Sequence, residues 1–441
     1  MDVLIMTGQL LLGLSILIIL HEAGHFFAAR AFGIRVEKFY LFFDAWGFKL
    51  FSFNYKGCEY GMGWLPLGGY VKIAGMIDES MDTNQLAGPP QPWEFRSKPA
   101  WQRLIVMLGG VTVNIVLGIF IFWMLTLKFG ETYIPNDKLS YGIAPGTIGR
   151  NIGLQSGDNI TAVNGKKVVR FEELLSSEVL FGNTELTVDR NGENKKIQVP
   201  GNIIEELSDY GIGQFIEPRG LTGSIVEIAN KSNAEKAGLK VGDSIVSVNN
   251  APVRFFDEFQ AEVQKNRGKS VDIALIRNDA PVSLTSQVTP EGTIGVIIPK
   301  LGIPRENQQY GFLKALPIGA SKAWGSFTDN AKGLGKVVSG EVKANKAFTG
   351  PIGIAAMFGN TVDWVKFWSL VGLLSMALAL MNLLPIPALD GGHSVFLLIE
   401  MVKGKPLSDK FMERAQMVGF VILVTLMVFV FGNDIIKHVI N

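Results

Sequence analysis

His21, Glu22 and His25 form the pattern His-Glu-x-x-His in a chain with only four histidines. On a helix, residues four apart share a face, so both imidazoles can reach one ion with Glu22 beside them. Such a set supplies two zinc ligands and a carboxylate able to act as general base. The triplet falls at the end of an apolar run, where ionisable side chains are costly unless they find a partner. A divalent cation would satisfy all three.

Catalytic zinc usually takes a third protein ligand and leaves one position for water. Asp390 is the candidate, in Asn382-Leu383-Leu384-Pro385-Ile386-Pro387-Ala388-Leu389-Asp390-Gly391-Gly392, just past the end of another apolar run. Pro385 and Pro387 must break a helix there, and irregular backbone at membrane depth occurs only where it is buried or lines a cavity. Two other readings stay open. Asp390 could cap a following helix over 394–402, or His393, three residues on, could be the ligand instead. His438 lies at the far end of the last apolar run and is expected to have no role.

These residues need a frame that holds them in an apolar medium. The chain has 441 residues, 48% hydrophobic and 18% charged, against about 25% charged in an average soluble protein. Four apolar blocks, over 3–20, 104–129, 367–384 and 417–432, are long enough to span a bilayer or nearly so. Arg30, Arg35, Lys98 and Arg103 lie between the first and second blocks, and Lys403, Lys405, Lys410 and Arg414 between the third and fourth. The positive-inside rule puts both segments on the cytoplasmic side and the long region 130–363 outside. The first and third spans then end at the same depth, which brings Asp390 level with the histidines. A lone cysteine, Cys58, excludes an internal disulfide framework, and a net charge of +1 gives no electrostatic case for nucleic acid.

The outer region contains a repeat. Gly153-Leu154-Gln155-Ser156-Gly157-Asp158-Asn159-Ile160, followed by Val163-Asn164, matches Gly238-Leu239-Lys240-Val241-Gly242-Asp243-Ser244-Ile245, followed by Val248-Asn249. Gly-Asp marks a turn, and Ile-x-x-Val-Asn suits a short strand that ends in another. The pattern resembles the PDZ domain, which accepts an extended peptide at a sheet edge. Residues 310–363 read either as an amphipathic helix on the membrane surface or as a helical linker.

Together these motifs resemble the site-2 protease family, in particular its bacterial regulator-of-sigma-E branch. The resemblance implies a polytopic α-helical membrane protein with four transmembrane helices, a membrane-reentrant β-hairpin and two α/β PDZ domains outside the membrane. The implied plan places transmembrane helix 1 at 1–31, a cytoplasmic-side segment with the hairpin at 32–103 and transmembrane helix 2 at 104–129. PDZ-like domains follow at 130–215 and 216–300, then an amphipathic region at 301–363. Transmembrane helix 3 with the Asn-x-x-Pro-x-Pro-x-x-Asp-Gly motif takes 364–393, and a cytoplasmic-side helix with transmembrane helix 4 takes 394–441. By the same resemblance His21, His25 and Asp390 bind Zn2+ and Glu22 is catalytic. Asn382, Pro387 and, within the segment 61–72 that resembles the hairpin, Gly68, Gly69 and Tyr70 would hold an unwound substrate. Leu108-Gly109-Gly110-Val111-Thr112-Val113-Asn114 takes the place of a family pattern with Gly-Pro where this chain has Gly110-Val111. It reads equally as a small-residue packing face.

The implied partners are the lipid bilayer and single-span membrane substrates, such as an anti-sigma factor or remnant signal peptides. The implied location is a bacterial inner membrane, with periplasmic PDZ domains that filter substrates by size and an active site near the cytoplasmic face. A non-catalytic membrane-anchored PDZ scaffold or chaperone explains the spans and repeats but leaves the polar residues without a task. A prenyl-protein peptidase also carries His-Glu-x-x-His in a span, but it predicts no PDZ pair.

Overall fold

The first apolar block folds as helix α1 (Asp2–Ala31), uninterrupted because it holds no proline, and its Gly13 and Gly24 face neighbouring helices. The computed structural model describes residues 2–66, 68–76, 88–201 and 203–437. Leu67, within the segment read as a hairpin, and His438 lie outside them. The chain divides into two units, residues 1–130 with 309–441, and residues 131–308.

In the first unit, α1 is followed by strands β1 (Val36–Leu41), β2 (Lys49–Tyr55), β3 (Cys58–Gly63) and β4 (Tyr70–Ile73), then helix α2 (Ala100–Phe129). The chain returns with α3 (Phe312–Val338), α4 (Pro351–Phe358), α5 (Trp364–Leu383), α6 (Asp390–Lys403) and α7 (Asp409–Ile435). Among the described residues four helices are long and apolar enough to cross a membrane: α1, α2, α5 and the 410–435 part of α7. Leu10, Leu17, Ile121, Phe367 and Val371 form an apolar core between α1, α2 and α5. Helices α1 and α2 touch backbone to backbone, since a Cβ on Gly24 would stand 2.4 Å from the Gly109 carbonyl oxygen. Small residues permit such close crossings where lipid gives no hydrophobic drive to pack. Helix α3 buries Ala315, Gly319 and Ala323, spaced four apart. Its Gly319 abuts the Trp123 backbone of α2, so this stretch is a packed helix.

One expectation changes. The segment 61–72 is not a two-stranded hairpin. The sheet order is β2-β3-β1-β4, with β1 parallel to β3 and antiparallel to β4, so β1 separates the two strands. The adjacent hairpin is β2–β3, turned at Lys56-Gly57, and its edge strand exposes Leu50, Phe51, Phe53 and Tyr55. Helix α5 covers only the first part of 364–393, as the two prolines require. It ends at Leu383, Leu384 takes the extended backbone that a following proline favours, and a second helix begins at Asp390.

The second unit opens on strand β5 (Glu131–Tyr133) and contains two four-stranded sheets of the same order. The first joins β6 (Asn159–Val163), β7 (Lys166–Lys167), β8 (Thr184–Arg190) and β9 (Glu193–Val199) as β7-β6-β8-β9. The second joins β10 (Ser244–Val248), β11 (Ala251–Pro252), β12 (Ser270–Arg277) and β13 (Ala280–Gln287) as β11-β10-β12-β13. The register shifts at equivalent points, between Ile160 and Ala162 and between Ile245 and Ser247. Each Gly-Asp aspartate is buried against an arginine of the third strand. Asp158 meets Arg190, and Asp243 meets Arg277, each through two contacts of 2.7 Å. Asn164 and Asn249 follow their strands at positive φ, where Asn is better tolerated than most residues. The unit closes with β14 (Glu306–Gln308), which pairs antiparallel with β5.

Candidate active site

Helix α1 places His21 and His25 one turn apart and buried, with the rings edge to face. Asp390 reaches them from the first turn of α6. That helix is capped by Leu389, not by Asp390, so the carboxylate is not spent on a helix end. Gly391 and Gly392 let α6 begin against the backbone of Leu383–Pro387. A Cβ on either would approach a carbonyl oxygen to 2.2–2.4 Å.

Asp390 Oδ2 stands 3.3 Å from His21 Nε2 and 3.2 Å from His25 Nε2, and the two nitrogens are 3.3 Å apart. Yet Oδ2 is buried with no hydrogen-bond partner. The three atoms face a common point rather than one another. Zinc–nitrogen and zinc–oxygen bonds of about 2.0–2.1 Å at tetrahedral angles separate ligand atoms by about 3.3–3.4 Å. The triangle therefore fits a divalent cation with three protein ligands. Among the described residues this is the one group of three His, Cys, Asp or Glu side chains with donor atoms close enough to share an ion.

Glu22 lines the same cavity, about 80 Å³ in volume, with Tyr70, Val71 and Ile73 of β4 and His393 of α6. His393 is outside the close triangle. Asn382, near the end of α5, brings Nδ2 to 3.2 Å from His21 Nε2, beside the metal-facing nitrogen. Tyr70 donates to Asp44 at 2.9 Å, and burial together with that carboxylate holds its phenol above the usual range, so it stays a donor. Gly69 touches α1 beside the triplet: a Cβ there would meet Ile18 at 2.5 Å and the Glu22 side chain at 3.6 Å. Gly68 packs on the Phe43 ring, and Pro387 backs onto Gly392 and Gly419, so neither is brought to the cavity.

Three contributors had no role assigned to them from the sequence. The Val106 carbonyl lies 2.9 Å from His25 Nδ1, and Asn114 lies 3.0 Å from His21 Nδ1. Gln416 of α7 lines the cavity and is buried on a helix that otherwise buries little. Val106, Gly110 and Asn114 recur every four residues, a signal that was present but could not be assigned to a partner helix.

A profile of Peptidase family M50 matches residues 9–426. Regulator of sigma-E protease RseP from Escherichia coli strain K12 is 31% identical over 97% of each chain. Protease RseP from Yersinia pestis is 30% identical over 98% of this chain and 99% of its own. A regulator of sigma E protease from Haemophilus influenzae is 29% identical over 98% of both. Matches that run through both units and across the polar cluster establish that the chain belongs to peptidase family M50, the site-2 protease family.

Proposed function

We propose that the chain is an intramembrane zinc endopeptidase that cuts within the transmembrane segments of single-span proteins. The observation that carries the proposal is the triangle of His21, His25 and Asp390, with Glu22 on the same cavity wall. Two imidazoles and a carboxylate suit zinc, and membership of a metallopeptidase family agrees. When bound, zinc lowers the pKa of water and polarises the scissile carbonyl.

The chain's own residues do the rest. Glu22, as general base, accepts a proton from the attacking water and passes it to the leaving amine. A helical substrate must first unwind, because its peptide groups are shielded by their own hydrogen bonds. Strand β4 ends its sheet and lines the cavity, so its outer edge can hold an extended segment by strand addition. Asn382, with an amide that can bind backbone, stands beside the metal-facing nitrogen of His21. The exposed apolar side chains of β2 suit immersion in lipid.

The distribution of Lys and Arg supports a cytoplasmic-side active site with residues 131–308 outside, and the role of that unit as a PDZ-like substrate size filter rests on the family resemblance alone. The relatives' names, with their reference to sigma-E, favour an anti-sigma factor as substrate and a bacterial inner membrane as location. Remnant signal peptides are a second substrate class of the same kind.

Cleavage of a reporter single-span protein in membranes tests the reading. Glu22→Gln is expected to lower the rate by about 10²–10⁴-fold with zinc retained. Asp390→Ala is expected to lose both zinc and cleavage. Full activity in either variant rejects the assignment.

A further inference from the structure

Helix α2 meets the two histidines with three residues spaced four apart, Val106, Gly110 and Asn114. The Val106 carbonyl is 2.9 Å from His25 Nδ1. A carbonyl only accepts, so Nδ1 holds the proton and Nε2 keeps its lone pair. Gly110 makes room for both rings, since a Cβ there would stand 2.4 Å from His21 Cε1 and 2.5 Å from His25 Nε2. Asn114 is fully buried, with Nδ2 3.0 Å from His21 Nδ1 and Oδ1 without a partner. Its main-chain carbonyl accepts from the Ser375 hydroxyl of α5 at 2.7 Å, which fixes this turn of α2.

The two ends of an amide exchange by a half rotation, and which end faces a histidine decides the tautomer. With Nδ2 donating to Nδ1, the ring proton sits on His21 Nε2, the atom that faces Asp390 and His25. A protonated ring nitrogen cannot bind a cation. With Oδ1 turned inward, Nδ1–H donates to it and Nε2 is free. We infer that Asn114 is a positioning residue for the metal centre: its amide oxygen accepts Nδ1–H of His21 and so presents Nε2 to the ion, as the Val106 carbonyl does for His25. The inference rests on the reading of His21 and His25 as ligands.

Zinc affinity of the purified full-length chain, measured by chelator competition, tests it. Asn114→Leu fills similar space without a polar atom and is expected to weaken zinc binding about 10–100-fold. Asn114→Asp keeps an acceptor and is expected to bind zinc at least as tightly as the parent. Nitrogen NMR of the zinc-loaded parent, labelled in histidine, is expected to show a proton on His21 Nδ1 and needs no variant to fold. Parent-like affinity in the Leu variant, equal losses in both variants, or a bare Nδ1 overturns the inference. A parent that binds no zinc, or that keeps its affinity after His25→Ala, overturns the underlying assignment of the ligands instead.

Discussion

Gly110 has no room for a side chain, because the two imidazoles occupy that space. Gly110→Ala is expected to cost about 1–3 kcal/mol of stability and to weaken zinc binding, read by thermal melting and chelator competition. In the second unit, Asp243 is buried and the Arg277 guanidinium holds its carboxyl below the ordinary range. A depressed carboxyl stabilises the fold above its unfolded pKa of about 3.9. That contribution is lost as pH falls through the lower folded value. Asp243→Asn should therefore be less stable at neutral pH, by about 3 kcal/mol or less given the partly exposed arginine, with the difference closing as pH falls through the lowered folded value. Denaturant titration across pH checks this. At this scale His-Glu-x-x-His was legible because its geometry is local to one helix. Asn114 was not, because its meaning depends on which ring of another helix it meets.

Among the elements, the break between α5 and α6 determines where the third candidate ligand stands. The two prolines announced that break, and the glycines after Asp390 make it tight. Gly391→Ala would drive a Cβ into the Leu383–Leu384 backbone. It is expected to shift the start of α6 and lower zinc affinity several-fold or more, while the melting of residues 131–308 stays unchanged. Chelator competition and domain-resolved hydrogen exchange separate the two. The four-stranded sheet was the least legible element. The segment 61–72 resembles a family hairpin, but β3 pairs parallel with β1, an earlier strand. Parallel partners are joined by crossovers rather than tight turns, so nearest-neighbour patterning cannot reveal them. The far end of α6 is tied to α2 by the ion pair of Glu400 with Arg103, so the helix carrying Asp390 and the helix carrying Asn114 are braced together.

For the whole molecule, the repeat within 131–308 was readable to the residue. The Gly-Asp aspartates and the following asparagines do the same work in both sheets, and that work is local. The unit 131–308 begins and ends on paired strands, β5 and β14, while Gln309 returns to the Phe129 carbonyl at the end of α2 at 3.3 Å. Replacing residues 131–308 with a short flexible linker is expected to leave zinc binding intact and to relax the choice of substrate, checked by cleavage of reporters with and without bulky outer domains. Loss of zinc binding on replacement would reject the independence of the catalytic frame. The paired strands also have a thermodynamic effect on that frame. With the insert folded, α2 and α3 are joined as if by a few residues; with it unfolded, they are joined by a floppy loop of roughly 180. Each doubling of loop length costs about 0.6 kcal/mol in closure entropy, so melting the unit 131–308 removes about 3 kcal/mol of support from the helices without breaking one of their contacts.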